Sequence, residues 1–189
     1  MKHTIPDVVG GYELDECDEW GLIDVVYPAQ CINLVYNPSM AHGLYTNYTV
    51  DANCTIKLTT EYQRRGLYSL KVTPTGSGSR AKVYYDLSAD ELVQGGHKTH
   101  FSCDILSVDG TWFYIYVTTT AGVMLTEKRR FQATGEWMRA WVEWMPATDA
   151  NCRLYIEKEN QYEEVPFYLD GFQCEQNKFG ATTYCDGDE

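Results

Sequence analysis

The sequence is built from short segments of alternating apolar and polar residues, separated by turns that contain glycine or proline. Residues 111–120 show the pattern most clearly, since Phe113, Ile115 and Val117 fall on one face and the residues between them on the other. Similar segments recur about every 8–12 residues, which is the spacing of an antiparallel β-sandwich. No segment combines a 3.6-residue period with the length of a core helix. We therefore predict an all-β chain.

The predicted strands account for most of the chain after residue 31. They run over residues 32–36, 54–60, 67–73, 81–87, 97–108, 111–120, 123–131, 137–145, 151–157 and 165–175. Asp109-Gly110 and residues 75–79 are predicted to join their flanking strands as hairpins, because Asp-Gly and glycine-rich segments favour such turns. Residues 88–92 could form one helical turn. Asp170-Gly171 interrupts the last strand and predicts a bulge there.

Length and charge limit the classes of function. At 189 residues the chain can form one well-cored domain, and its fifteen Tyr and five Trp favour strands. A net charge of −12 argues against binding nucleic acid, which needs clustered Lys and Arg. The basic cluster Lys128-Arg129-Arg130 is expected to be a solvated strand face or turn, or else a phosphate or subunit contact. No apolar run approaches the roughly 20 residues of a membrane helix, so no membrane insertion is expected.

Residues 1–31 differ in composition from the rest of the chain. They are acidic, yet they carry isolated apolar side chains that could anchor the segment on another surface: Tyr12, Leu14, Trp20 and Leu22. One interpretation is an edge strand or two packed on the sandwich. The other is an assembly arm that docks on a neighbouring subunit. We therefore divide the chain into residues 1–31 and a domain over residues 32–189.

Four segments occur in the order found in a known kind of module. They read Asn-Leu-Val-Tyr-Asn-Pro-Ser (33–39), Gly-Leu-Tyr-Ser-Leu-Lys-Val-Thr (66–73), Thr-Gly-Glu-Trp-Met-Arg (134–139) and Leu-Asp-Gly-Phe-Gln-Cys-Glu (169–175), the last followed by residues 181–188. This series resembles the jelly-roll, carbohydrate-binding-module-like domains of tailed-phage structural proteins, which include tail, fibre and capsid-decorating subunits. The resemblance implies an antiparallel jelly-roll β-sandwich with a short N-terminal arm.

Two predicted strands place aromatic and charged side chains on one face. Their polar-side residues, with two from the strand at 81–87, form the candidate contact set: Trp112, Tyr114, Tyr116, Tyr84, Asp86, Arg139, Trp141 and Glu143. Such a face suits a sugar, because flat rings cover the C–H side of a pyranose while charged groups bind its hydroxyls. The alternative is that the rings cover one another, or lie against loops, the arm or a neighbouring subunit.

One metal ligand and the cysteines complete the candidates. Modules of this kind often hold a structural calcium, and Asp170 matches their last-strand ligand, although Met40-Ala41 departs from the usual first segment. No other cofactor is expected. None of the seven cysteines forms a Cys-x-x-Cys pair, and the chain shows no secretion signal. Cys103 and Cys174 alternate with core residues and are predicted to be buried free thiols.

The resemblance decides the function that we expect. No nucleophile elbow, phosphate loop or metalloprotease motif is present, so no enzymatic activity is predicted. We expect a non-enzymatic virion structural protein of a tailed phage, assembled in the host cytoplasm into the virion. Its expected partners are other virion proteins, further copies of itself as a homo-oligomer, and a host-surface glycan. The alternative is a free carbohydrate-binding module that recognises a glycan through the aromatic face.

Overall fold

A computed structural model of the chain describes residues 33–35, 40, 43, 45, 47–76, 80–87, 92–160 and 164–176. Within these ranges the chain forms two antiparallel sheets packed as a β-sandwich and no helix, as the alternating pattern predicts. The described residues therefore include no helix that could cross a membrane.

Ten strands form the two layers. They are β1 (Tyr48–Ala52), β2 (Cys54–Thr59), β3 (Ser69–Pro74), β4 (Lys82–Asp86), β5 (Thr99–Leu106), β6 (Trp112–Thr119), β7 (Arg129–Gln132), β8 (Met138–Trp144), β9 (Cys152–Lys158) and β10 (Phe167–Gln176). Sheet I has the order β1-β4-β9-β6-β7, and sheet II has the order β2-β3-β10-β5-β8. We call the side of each sheet that faces away from the other sheet its outer face.

The core lies between the two sheets and follows the period of two. Phe113, Ile115 and Val117 on β6 are each 0% exposed, as predicted. Phe172 on β10 packs against Tyr48 on β1, with the ring centroids 4.8 Å apart, so the two layers meet through aromatic rings. Each such side chain contributes about 1.5–3 kcal/mol by leaving water. Because one side of each strand is buried in the core, the outer face of each sheet is the side that a ligand can contact.

The connections between strands are where the sequence misleads. Among consecutive strands, only β2–β3 and β6–β7 are neighbours in the same sheet. The hairpin predicted at Asp109-Gly110 is wrong, because β5 belongs to sheet II and β6 to sheet I. The hairpin predicted at residues 75–79 is wrong for the same reason, since β3 and β4 lie in different sheets. Gly110 does adopt a positive φ of 85°, so the glycine serves a tight turn that crosses between layers.

The strand predicted at 123–131 is shorter than expected, and residues 33–35 of the one predicted at 32–36 are not in a strand, because side chains take ladder positions. The strand predicted at 123–131 is limited to β7, and Thr126 Oγ1 accepts the hydrogen bond of Val117 N, a donor that a full ladder would use. Asn33 does the same near the start of the predicted strand at 32–36. Its Oδ1 accepts hydrogen bonds from Val35 N and Cys174 N, which fastens this segment beside β10 without a strand of its own.

The remaining predictions of local structure concern the bulge in the last strand, the N-terminal segment and one helical turn. The bulge at Asp170-Gly171 is confirmed, since the pairing of β10 with β5 shifts register between Asp170 and Gln173. Residues 1–31, including the predicted arm, and residues 88–91 of the predicted helical turn lie outside the described residues. The division of the chain at residue 31 stays a prediction.

The cysteines of the sandwich are buried thiols. Cys54, Cys103, Cys152 and Cys174 are free and buried, which confirms the prediction for Cys103 and Cys174. Burial raises the pKa of Cys54 to about 11 and that of Cys152 to about 12, and it raises the pKa of Cys103 further. The thiols of Cys54, Cys103 and Cys152 are therefore protonated and unreactive at neutral pH.

Candidate functional site

A row of tyrosines crosses the outer face of sheet I. Tyr84, Tyr155 and Tyr116 are direct cross-strand partners on β4, β9 and β6. The rings of Tyr155 and Tyr116 stack in parallel with centroids 4.9 Å apart, and those of Tyr84 and Tyr155 are 5.0 Å apart. The three side chains are 4–9% exposed. For these three rings, the interpretation that the aromatics cover one another is the one that the structure supports.

Cations cover this tyrosine row. Lys128 Nζ lies 4.5 Å from the ring centroid of Tyr116, and the guanidinium of Arg153 lies 4.8 Å from that of Tyr84. An ammonium or guanidinium over an aromatic face is attracted by the ring quadrupole. Lys128 begins the basic cluster of the sequence, so this member of the cluster is more than part of a solvated strand face: it lies over an aromatic ring.

Glu157 is a buried carboxylate at the centre of the same face. It is 1% exposed, and it lies between Arg80 Nη1 at 2.7 Å and Lys128 Nζ at 2.6 Å. Tyr116 donates its hydroxyl to Glu157 at 3.0 Å, which accounts for the burial of that polar group. Burial works to raise the pKa of Glu157, but the hydrogen bonds from Lys128 and Arg80 outweigh it and hold the pKa below its usual value.

The partly exposed end of the site lies toward the sheet edge. Glu159 accepts hydrogen bonds from Arg130 Nη2 at 2.6 Å and from Tyr114 Oη at 2.5 Å, and these hold its pKa below the usual value. The guanidinium of Arg130 also lies 3.8 Å from the ring centroid of Trp112. Trp112 and Tyr114 are half-buried, so this end of the face can be reached by a ligand.

The candidate contact set of the sequence is divided between two surfaces. Trp112, Tyr114, Tyr116 and Tyr84 share the outer face of sheet I, and Asp86 joins them through an ion pair with Arg153 at 3.3 Å. The remaining members lie on β8 in sheet II: Arg139, Trp141 and Glu143. The expectation of one common face is wrong, because period two tells which side of its own sheet a residue occupies and not which sheet that is.

The outer face of sheet II uses its polar groups internally. Arg139 donates to Asp104 Oδ2 at 3.2 Å, to Ser102 Oγ at 2.9 Å and to Gln173 Oε1 at 2.7 Å. It also donates to the carbonyl oxygen of Gly171 at the bulge. Arg139 therefore holds three strands of this sheet together, and its donors are committed to the fold.

Trp141 and Glu143 lie at the edge of the same face. The guanidinium of Arg129 lies 3.6 Å from the ring centroid of Trp141, whose side chain is 36% exposed. Glu143 forms an ion pair with Lys98 at 3.0 Å, and both side chains are exposed. Neither tryptophan of the predicted set is fully buried, so each ring keeps surface that a ligand can contact.

The described contacts of Asp170 are hydrogen bonds from the backbone, and a calcium ion beside it stays a prediction. Its Oδ2 accepts hydrogen bonds from Arg64 N at 2.8 Å and Arg65 N at 2.7 Å, and its Oδ1 accepts one from Gly171 N at 2.7 Å. Calcium needs six to eight oxygen ligands, whereas these neighbours are hydrogen-bond donors. Among the described residues no group of three His, Cys, Asp or Glu side chains could hold a metal. Through its hydrogen bonds Asp170 anchors the β2–β3 connection.

Several residues of the site were not assigned to the candidate face from the sequence, although Lys128 and Arg130 had been noted there as part of a basic cluster. They are Tyr155, Glu157 and Glu159 on or after β9, Arg80 before β4, and Lys128 and Arg130 beside β6. The β9 residues could have been found, because they alternate with the core residues Leu154 and Ile156 in the same period of two. The cations could not, because their positions depend on which strands become neighbours.

No protein-family model matches the sequence, and no curated protein matches it. Solved structures do match. The CBM22-1 xylan-binding domain of Xyn10C from Paenibacillus barcinonensis has a TM-score of 0.59 and 18% identity, over 80% of this chain and 100% of that one. The fold is the jelly roll of carbohydrate-binding modules.

Parts of two larger proteins share this jelly roll. An arabinose-bound GH51 α-L-arabinofuranosidase has a TM-score of 0.64 and 14% identity, over 78% of this chain and 27% of that chain. The enzymatically active domain of tailspike protein 4 of bacteriophage CBA120 has a TM-score of 0.60 and 10% identity, over 77% and 22%. This chain thus spans about a quarter of each of these proteins. At such identities the likeness shows the fold, and function has to be argued from the site.

Proposed function

We propose that this chain is a non-enzymatic carbohydrate-binding module that binds a glycan on the outer face of sheet I. The observation that carries the proposal is the half-buried pair Trp112 and Tyr114, placed beside the ion-paired carboxylates Glu157 and Glu159 on that face. A few polar groups around aromatic rings is the usual composition of a small-molecule site. The stacked tyrosine row lies beside this pair on the same face, and its packed rings keep the surface rigid, so little ordering accompanies binding.

The state of the two carboxylates supports binding without catalysis. A glycosidase needs one carboxylic acid with a raised pKa to protonate the leaving group. Glu157 and Glu159 are both held below their usual pKa by Lys128, Arg80 and Arg130. Both are therefore ionised at neutral pH, and neither is placed as a proton donor.

Affinity electrophoresis and titration calorimetry on a panel of soluble polysaccharides that includes xylan test the proposal. We expect Trp112→Ala and Tyr114→Ala to weaken binding at least about tenfold, as expected for the loss of an aromatic contact. Trp141→Ala on sheet II is the matched control and should bind within about twofold of wild type. If Trp141→Ala loses binding while Trp112→Ala and Tyr114→Ala keep it, the site lies on sheet II and the proposal for sheet I is wrong. No binding to any glycan would refute the function.

A second candidate is the virion role that the sequence resemblance implies, and a phage tailspike domain is among the proteins that share the fold. In this role the module is a tail-associated or capsid-decorating subunit, residues 1–31 dock it, and its partners are other virion proteins and copies of itself. Sedimentation of the full chain should then show an oligomer that Trp20→Ala and Leu22→Ala dissociate. A monomer at about 100 μM would count against self-assembly. Detection of the chain in purified virions would test its location.

A further inference from the structure

The proposed site carries more positive charge than the chain around it. Among the described residues, five cationic side chains that form ion pairs lie on or beside the outer face of sheet I: Arg80, Lys82, Lys128, Arg130 and Arg153. Four carboxylates accompany them: Asp51, Asp86, Glu157 and Glu159. The whole chain has a net charge of −12. The net charge of these ion-paired groups on the face is therefore positive, whereas the net charge of the chain is negative.

Exposure increases this asymmetry at the centre of the face. The side chain of Glu157 is 1% exposed, whereas its two partners Arg80 and Lys128 are 40% and 36% exposed. In the neighbouring pair, Arg130 is 47% exposed and Glu159 is 25% exposed. In these pairs the carboxylates thus lie beneath the cations, whereas in the pairs Lys82–Asp51 and Arg153–Asp86 the carboxylate is the more exposed partner. A ligand that approaches the part of the face around Tyr114 therefore meets the guanidinium and ammonium groups of Arg80, Lys128 and Arg130 first.

The hydrogen-bonding capacity left over is mostly donor capacity. Both oxygens of Glu157 and both oxygens of Glu159 already accept hydrogen bonds. In the part of the chain that the structure describes, the side chain of Arg80 forms one hydrogen bond, from Nη1 to Glu157, and that of Lys128 also forms one, to Glu157. Arg130 donates to Glu159 through Nε and Nη2. Further N–H groups on all three cations therefore remain for a ligand.

We propose that the glycan bound on this face is acidic, with its oxyanion held by Arg80 and Lys128. This inference rests on the proposed function. A neutral hydroxyl both donates and accepts hydrogen bonds, whereas a carboxylate or sulfate ester only accepts them, which matches a surface that mainly donates. Both cations lie near the half-buried Tyr114, at 5.3 and 5.8 Å from its ring centroid. A sugar against this ring therefore has its charged substituent within reach of both cations.

The test compares ligands that differ only in charge. Calorimetry is done on the full chain with oligogalacturonate and its methyl ester, and with sulfated and unsulfated dextran, at low and at physiological salt. At least one acidic partner should bind about tenfold more tightly than its neutral counterpart, and the difference should shrink as salt rises. The pair that shows the difference tells whether the oxyanion is a carboxylate or a sulfate ester.

Variants place the effect on this face. Lys128→Met and Arg80→Gln should each remove most of the preference for the acidic ligand, while Lys98→Met, which deletes an equally exposed charge on sheet II, should keep it. Equal binding of acidic and neutral ligands overturns the inference and leaves the proposed function standing. A preference that survives Lys128→Met and Arg80→Gln also overturns it. Absence of binding to every ligand overturns both, and the wild-type comparison needs no variant to fold.

Discussion

The substitution Arg139→Met should destabilise the sandwich more than the removal of any exposed charge. Arg139 is the donor that joins Asp104, Ser102 and Gln173, and the side chain of Asp104 is only 3% exposed. Methionine keeps the apolar length of the side chain and removes its donors. What is tested is therefore the loss of the hydrogen bonds and the charge, with the packing largely kept.

The expected magnitude follows from burial. Breaking a buried ion pair by removing one partner costs about 3–5 kcal/mol, because the other charge is left uncompensated. Arg139 is itself 23% exposed, and Arg65 Nε stays 3.4 Å from Asp104. Both facts reduce the cost, so we expect about 3 kcal/mol. For a domain of this size that corresponds to a fall in Tm of roughly 6–12 °C.

Urea denaturation followed by tryptophan fluorescence measures the loss. Lys98→Met is the control, because Lys98 and Glu143 form an exposed pair at 3.0 Å, which should contribute no more than about 1 kcal/mol. Adding Asp104→Asn to Arg139→Met should recover part of the stability, since it removes the uncompensated charge. If Arg139→Met and Lys98→Met differ by less than about 0.5 kcal/mol, the reasoning from burial is refuted.

Three further results are expected. Gly171→Ala should lower the free energy of unfolding by at least about 1 kcal/mol more than Gly122→Ala does in chemical denaturation. Both glycines have a positive φ, but only at Gly171 would an added Cβ meet another atom, Asp104 Oδ2 at 2.8 Å. Equal losses of stability in the two variants would contradict this contact. Burial raises the pKa of Asp170 to about 7, so the NMR signal of its carboxyl carbon should titrate near pH 7. Its contribution to stability should fall as the pH rises toward 7. A titration midpoint near 4 would show instead that its hydrogen bonds outweigh burial. The pKa of Glu157 is held below the ordinary 4.5, so the wild type should lose stability as the pH falls below that value, and Glu157→Gln should flatten this loss in acid-unfolding curves.

The predictability of the candidate site differed between its residues. Trp112, Tyr114 and Tyr116 were found from the sequence because alternation with Phe113 and Ile115 is a property of a single strand. Their cations Arg80 and Arg130, like the carboxylate Glu157, come from other segments and could not be assigned in the same way.

Arg139 shows the opposite error. It alternates with Ala140 on β8 as Tyr114 alternates with Ile115 on β6, so the sequence pattern treats both as contact residues of one face. The fold places β8 in sheet II, where Arg139 lies opposite Asp104 and beside the bulge of β10. A residue that looked like a ligand contact is therefore part of the structure.

The sequence alone determined the all-β class, most strand positions, the bulge at Asp170-Gly171 and the burial of Cys103 and Cys174. These features follow from the alternation of apolar and polar residues and from the conformational freedom of glycine. Both signals involve only residues that are close together in the sequence. Tertiary structure decided that Asp109-Gly110 crosses between sheets, and that the basic cluster lies over aromatic rings from two strands. Such contacts join residues that are distant in the chain, and their free energy depends on strand order, which no local pattern encodes.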